Sequence, residues 1–429
     1  MTFSGSGDIQ LETIGDGAFR DCTSLGSFEV PAKVTSIGGR AFKDCTSLKT
    51  LTIPGGQGLI IYDQAFQNCG LTSLTIPSRV KTIYEKAFSG CNALTSLTVP
   101  AGGITYGLIG YGSDNAFDKC NNLTTVILTG SGMITTNNPV HRDYGGAYQY
   151  MTTLIIGDDI TSIDTEAFKG CSILTSLTIG NGVKIIGQKA FYGAKLKDVT
   201  IPSNVTYIHT EAFYGCVGPF VLNSNPVLDT EAFDKGATVT MNLTANGPVD
   251  GYYWTTFYND YTTSNMQADE NTTVYKGTIS GSNIALAEVE DKIVNSSTPV
   301  ILKSTSSHPV LTFTFLPSQD KQGNDLQGTM LTPDTPENCY TLAGKGGKVG
   351  FYKYVGSALN PGKAYLIYTG SSRDFLDFGE TTEIRLNSLT PDPSPTGEGS
   401  EYYDLQGRRV NGTAKKGVYI VNGKKTVIK

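Results

Sequence analysis

Charge is scarce in this chain. Of its 429 residues 17% are Asp, Glu, Lys or Arg, the net is −6, and no basic cluster marks a face of the repeats described below, which excludes the electrostatic footprint of a nucleic-acid binder. Histidine is nearly absent. His141, His209 and His308 are the only three, and none shares a motif with a nearby Cys, Asp or Glu that would build a metal cage or an activated nucleophile, so they read as surface or turn residues. No run approaches 18 apolar residues, so no segment is suited to cross a membrane as a helix. The opening MTFSGSGDIQ is not a signal peptide, and export would require a leader that has been removed or replaced.

What the chain has in abundance is one short pattern. Nine Ala-Phe pairs recur at Phe19, Phe42, Phe66, Phe88, Phe117, Phe168, Phe191, Phe213 and Phe233, mostly 20 to 24 residues apart. A fixed period of this length is the signature of a solenoid, in which each coil must stack on its neighbours to bury its apolar side. In the copy LTSLTIPSRVKTIYEKAFSGC, LTSLTIP reads as a strand with Leu74 and Ile76 inward and Ser73 and Thr75 outward. Pro77 ends it, lacking a donor for a neighbour. A second brief extended piece is expected at Val80 to Ile83, then a helical turn around Ala87 and Phe88. The gap between Phe117 and Phe168 contains Ala147-Tyr148 followed by MTTLIIG, a degenerate copy that brings the count to about ten coils. Two insertions, near residues 101–115 and 129–146, are expected to emerge near one edge on adjacent coils.

Seven of the eight cysteines follow the repeat Phe by three residues. They lack the clustered spacing of a metal site. Each is expected to be a small buried hydrophobe in a ladder, neither bridged nor catalytic.

The copies VTSIGGRAFKDCTSLKTLTIP and VKIIGQKAF resemble the BspA-type leucine-rich repeat family over residues 10 to 245. The resemblance implies a right-handed curved solenoid and an exported bacterial protein of a class linked to adhesion to host proteins or to other cells, with no catalytic motif. Departures are Ala194 in place of Cys, no Cys after Phe233, and the two insertions.

Beyond ATVTMNLT the repeat stops, and long runs of alternating pattern begin. GYYWTTFY, TVYKGTISGSNIALAEVE, VLTFTFLP and CYTLAGKGGKVGFYKYV, separated by Gly and Ser, point to an antiparallel sandwich or barrel with Trp254 and Phe257 in its core. From YYWTTFY through NPGKAYL to FLDF this stretch resembles the β domain that follows repeats in surface proteins of Gram-negative anaerobes, which implies an accessory module. LTPDPSPTGEGS reads as a linker. The last residues, with YDLQGRRV, KGVYIV and an Asn422-Gly423 hairpin signal, are similar to the C-terminal sorting segment of the type IX export route.

The expected fold is thus mainly β with short helical turns. A right-handed leucine-rich-repeat solenoid spans 1–245, an antiparallel sandwich or barrel-like domain 246–388, a linker 389–400 and a sorting-like β tail 401–429. The enzyme reading, a parallel β-helix lyase or glycosidase, needs paired acids on successive strands. The outward strand position instead carries Glu29, Thr52, Thr75, Thr98, Ile127, Ile155, Thr178 and Thr200, a single acid. The resemblance implies adhesion or recognition at the bacterial surface as the expected activity, directed at a host extracellular protein, a bacterial surface protein or a glycan. The rivals are a carbohydrate-binding component and a structural spacer. No enzyme, cofactor or nucleic-acid partner is implied. Candidate contacts are Tyr62 and Tyr84, which follow the inward Ile on adjacent coils, and the residues of the insertions, Tyr106, Tyr111, His141, Arg142, Tyr144 and Tyr150, because Tyr and Arg supply much of the energy of interfaces.

Overall fold

A computed structural model describes residues 11–106, 115–135, 150–229, 231–258, 265–281, 283–314, 323–329, 335–345, 348–359, 363–370, 373–378, 402–403, 409–410, 417–421 and 424–428. The chain divides into two compact units, Met1–Leu222 with Leu228–Val239, and Asn223–Val227 with Thr240–Lys429.

In the first unit each coil contributes two short strands, and each strand pairs in parallel with its counterpart one coil on. One ladder runs through Ser73–Thr75, Ser96–Pro100, Thr125–Thr129, Thr153–Ile156 and Ser176–Thr178, with Leu74, Leu97, Val126, Leu154 and Leu177 in register. Ser27–Glu29 pairs with Thr50–Thr52 in the same way, and Val199–Ile201 with Phe220–Leu222. Thr153–Ile156 takes its place between the neighbouring coils, so the long gap in the Phe spacing holds one more coil, as MTTLIIG implies. The second ladder runs through Ser36–Ile37, Leu59–Ile61 and Val80–Ile83 to Thr105–Tyr106, and resumes with Gly132–Ile134, Ile160–Ile163, Ile185–Ile186 and Tyr207–Ile208. Alternation explains both. Along Thr50–Thr52 the burial reads exposed, buried, exposed, which puts one Leu per strand in the core.

The turn that carries the Phe is not a helix, and no helix occurs among the described residues. Ala18, Arg20 and Cys22 donate to the carbonyls of Gly15, Gly17 and Phe19, each three residues back, while Gly17, Phe19 and Asp21 donate to Gly39, Ala41 and Lys43 of the next coil. This division between local and inter-coil bonds coincides with left-handed residues two before and two after the Phe. Arg40 and Asp44 flank Phe42, and Gln64 and Asn68 flank Phe66, with φ from 57° to 64°. A left-handed non-glycine residue costs roughly 1–2 kcal/mol, offset here by pairing backbone groups that would otherwise be buried without partners. Later coils place Gly170, Gly193 and Gly215 at the second of these positions, where no Cβ opposes the geometry.

Inside the turns lies an aromatic spine. Phe19, Phe42, Phe66, Phe88 and Phe117 stack with successive ring centroids 4.9, 5.0, 5.2 and 5.3 Å apart and planes within 13°. Phe168, Phe191, Phe213 and Phe233 repeat the stack at 5.2 to 5.3 Å. The cysteines beside them are free thiols. They do more than fill space: the Sγ of Cys45, Cys69, Cys91 and Cys120 donates to the carbonyl of Phe19, Phe42, Phe66 and Phe88 on the preceding coil, at 3.0 to 3.2 Å.

The second unit contains a ten-stranded sheet. Its strand order is Asn246–Val249, Tyr252–Phe257, Val300–Ser304, Thr272–Ser280, Asn283–Glu288, Phe375–Phe378, Lys348–Lys353, Cys339–Lys345, Lys363–Ile367 and Gln327–Thr329. The pairs are antiparallel with one exception to the expected pattern: Phe375–Phe378 runs parallel to Asn283–Glu288. It joins an earlier antiparallel set to a later one, and its direction is fixed by its antiparallel pairing with Lys348–Lys353. Trp254, at 1% exposure, packs with Ile284, Phe351, Leu376 and Phe378, and Phe257 is fully buried. The tail strands Tyr402–Tyr403, Arg409–Val410, Gly417–Val421 and Lys424–Ile428 form a separate sheet, in which Val421 pairs with Lys424 across the Asn422-Gly423 position.

Candidate binding surface

Every position of the repeat becomes a column in a parallel stack, because neighbouring coils are in register. Three columns carry chemistry on the outside of the first unit. The first is the residue after the inward Ile of the second ladder. Tyr62 and Tyr84 occupy it on adjacent coils, half-buried, with ring centroids 5.2 Å apart and planes 8° from parallel. Their backbones are fixed from the preceding coil, as Tyr62 donates to Ile37 and Tyr84 to Ile61. Toward the N-terminus the column continues as Gly38 and Gly15, and at Gly38 a Cβ would lie 2.4 Å from the Asp16 carboxylate, so no side chain fits there.

At the other end of the same column the residues are His209 and Asp229. His209 Nδ1 lies 3.0 Å from Asp229 Oδ2, the Tyr207 hydroxyl donates to Asp229 Oδ1 at 2.7 Å, and the imidazole tilts over the Tyr207 ring at 4.3 Å. His209 is thus tied into a cluster, where the sequence reading made it an ordinary turn residue. The acid that holds it comes from the next coil.

The second column is the residue after the repeat Phe. Tyr192 and Tyr214 stack there at 5.4 Å, and Lys189 beside them pairs with Glu211 at 3.1 Å, an ion pair that raises the lysine pKa. This pair escaped the sequence reading. Its signal was available, since each Tyr directly follows a repeat Phe, but the column becomes visible only once all copies are aligned.

The third is the outward strand column. Thr75, Thr98, Ile127, Ile155 and Thr178 lie in direct register, flanked by the column Ser73, Ser96, Thr125, Thr153 and Ser176. The result is an uncharged hydroxyl strip with an aliphatic pair, Ile127 and Ile155, at its middle. One residue further back the hydroxyls are spent internally. Thr95, Thr152 and Thr175 donate to the carbonyls of Thr72, Thr124 and Thr152 on the preceding coil.

Of the residues singled out in the sequence, Tyr62 and Tyr84 are brought together. Tyr106 enters the second ladder opposite Ile83, so its backbone holds the register position of an inward Ile. Tyr150 is half-buried at the start of its coil. Tyr111, His141, Arg142 and Tyr144 lie outside the described residues, as does Tyr148 of the degenerate copy.

The buried thiols are poor nucleophiles, whereas Cys22 of the first coil is exposed. Burial raises the pKa of Cys45 to about 11 and of Cys120, Cys171 and Cys216 to about 12, leaving them protonated at neutral pH. Among the described residues no group of three or more His, Cys, Asp and Glu is placed to hold a metal. Nor is any helix among them long and apolar enough to cross a membrane.

A family model described as BspA type leucine rich repeat region matches the chain in six copies, over residues 12–138 and 146–223. Among solved structures, the chain is similar to a leucine rich cell surface protein of Faecalibacterium prausnitzii, at 24% identity over 54% of this chain and 63% of that one, with a TM-score of 0.23. It is also similar to a leucine rich repeat protein of T. pallidum, at 25% identity over 42% and 69%, TM-score 0.26. The pneumococcal vaccine antigen PcpA aligns at 22% identity over 53% and 59%, TM-score 0.24. The chain thus spans less than two thirds of the F. prausnitzii protein and of PcpA. Curated proteins give no significant match.

Proposed function

We propose, from the membership of residues 12–138 and 146–223 in the BspA-type leucine-rich repeat family, that this chain is an exported recognition protein of a Gram-negative bacterial surface. Its partner is a host extracellular protein or a protein of another bacterium, and the solenoid is the part that binds it. Catalysis has no place in this reading, and the tail 401–429 serves sorting to the surface.

The observation that carries the reading is the stacked pair Tyr62 and Tyr84, 5.2 Å apart on a backbone anchored from the coil before. Tyrosine offers a large amphipathic contact area with few rotatable bonds, and stacking restricts those rotors before any partner arrives, which lowers the entropy cost of association. The Tyr192 and Tyr214 pair repeats the stacked arrangement on later coils, and the hydroxyl strip adds an uncharged column to the solenoid.

The test uses the full chain. Binding is measured against a panel of extracellular-matrix proteins and a glycan array, alongside two variants, Tyr62→Ala with Tyr84→Ala, and Tyr111→Ala with Arg142→Ala and Tyr144→Ala. A protein ligand whose affinity falls at least tenfold in the first variant, at little cost in melting temperature, supports the proposal; a further loss in the second adds the insertions to the contact. Binding to defined glycans alone favours the carbohydrate-binding alternative, and silence across the panel favours a spacer.

A further inference from the structure

The ten-stranded sheet of the second unit curls until its ninth strand meets its second. Lys363, at the start of Lys363–Ile367, reaches across and donates from Nζ to Thr255 Oγ1 on Tyr252–Phe257 at 2.8 Å. The end of the second strand is held as closely, for Tyr258 lies against Gly328 of the tenth strand, where a Cβ would come within 2.0 Å of the tyrosine ring. A cavity of about 180 Å³ sits at this junction. It is lined by Asn246, Thr255, Thr256, Thr341 and Lys363 together with Leu342, Leu359 and Tyr365.

Among the described residues of this lining, Lys363 is the only charged one. Thr255 already donates to the Thr256 carbonyl at 3.3 Å, so toward the lysine it acts as acceptor, and the ammonium keeps two of its three protons for another group. Thr255 and Thr256 are almost fully buried, at 2% and 5% exposure. Lys363 is exposed as a residue, and desolvation lowers its pKa. No acid stands among the described residues of the lining, so an anionic group is the complement that the ammonium would accept. The rest of the lining mixes an amide and hydroxyls with aliphatic and aromatic carbon. That combination fits a pyranose ring, which presents hydroxyls at its edge and C–H groups on its face. The volume lies below the roughly 300–1,000 Å³ of drug-sized pockets, so a single ring is the size of ligand it accepts.

We propose that this cavity binds one acidic monosaccharide residue, with Lys363 pairing with the sugar carboxylate and Thr256, Thr341 and Asn246 meeting its hydroxyls. The site is separate from the solenoid surface and does not depend on it. The experiment titrates the full chain with glucuronate and galacturonate, with glucuronic acid methyl ester, with glucose and with acetate, followed by calorimetry, and repeats the series on Lys363→Met. A uronate that binds at least tenfold more tightly than its ester, glucose and acetate, and loses that margin in the variant, supports the proposal. Equal binding of uronate and ester, acetate binding as tight as uronate, or full affinity in Lys363→Met would overturn it. The ester comparison needs no variant, so a folding defect in Lys363→Met leaves the question decidable. Binding of the protein ligand by the solenoid should be the same in Lys363→Met and in the parent chain.

Discussion

The two units solve the same problem, burying apolar strands, with opposite kinds of contact. In the solenoid the contacts between strands and turns run to the neighbouring coil: the Cys69 thiol meets a carbonyl 27 residues back and Thr95 one 23 residues back, and the same bond recurs down the stack. In the second unit the Lys363 to Thr255 bond that closes the curl joins residues 108 apart, and nothing repeats it. Damage to the first should therefore stay local, and damage to the second should spread through its core.

The largest expected effects test that contrast. Phe66→Ala removes a ring stacked at 5.0 and 5.2 Å on its two neighbours and should cost about 3–5 kcal/mol. Hydrogen exchange should then rise in the coils around Phe42 and Phe88 and stay low near Phe191. Trp254→Ala, of similar cost, should raise exchange across the whole ten-stranded sheet and leave the solenoid protected. Uniform loss in both cases would erase the distinction.

A smaller effect tests how tightly coils are spaced. A Cβ on Gly182 would fall 1.9 Å from the Asp158 carbonyl oxygen of the preceding coil. Gly182→Ala should destabilise the solenoid by about 1–3 kcal/mol, seen as a lower urea midpoint. A value near zero would mean that neighbouring coils can separate more freely than these distances allow.

Alkali should distinguish the units as well. The solenoid thiols have folded pKa values raised by burial, to about 12 at Cys120, Cys171 and Cys216, above the ordinary thiol value. A raised folded pKa means that the unfolded chain releases its protons first. Stability is then fully present below about pH 8.5 and falls as pH rises toward the folded values. The second unit holds one such thiol, Cys339 at about 11, and burial also raises the phenols Tyr275, Tyr340, Tyr354 and Tyr365, so its main loss should begin at higher pH, above the ordinary phenol value of about 10. Melting each unit by exchange between pH 8 and 11 checks the order. The smallest effect is expected at the spent hydroxyls, where Thr95→Val should cost about 0.5–1.5 kcal/mol through its bond to Thr72.

How much of this could be read from the sequence follows the same division. The Ala-Phe period gave the spine, the degenerate copy and both ladders, because a local pattern repeated in register specifies its own partner. The buried cysteines and Trp254 were legible for the same reason, as small and large apolar positions in a clear context, but Cys22, expected in the same buried ladder, is exposed because it lies in the first coil. The left-handed residues were not. Arg40, Gln64 and Lys86 have no preference for positive φ, and adopt it because of bonds to the next coil. His209 looked ordinary because Asp229 lies 20 residues on. The parallel pair in the second sheet and the Lys363 contact depend on which distant strands meet, which alternation alone leaves open. The candidate contacts divide likewise: the Tyr62 and Tyr84 pair follows from the repeat, and the insertion residues have no repeat to place them.

One measurement bears most directly on recognition through the solenoid. Hydrogen exchange is recorded on the full chain, free and saturated with the tightest protein ligand from the panel. Protection should appear in the segments around Tyr62, Tyr84 and the strands Ser73–Thr75 and Ser96–Pro100, with the ten-stranded sheet unchanged. Protection confined to residues 246–378, with no change in the coils, would contradict the account.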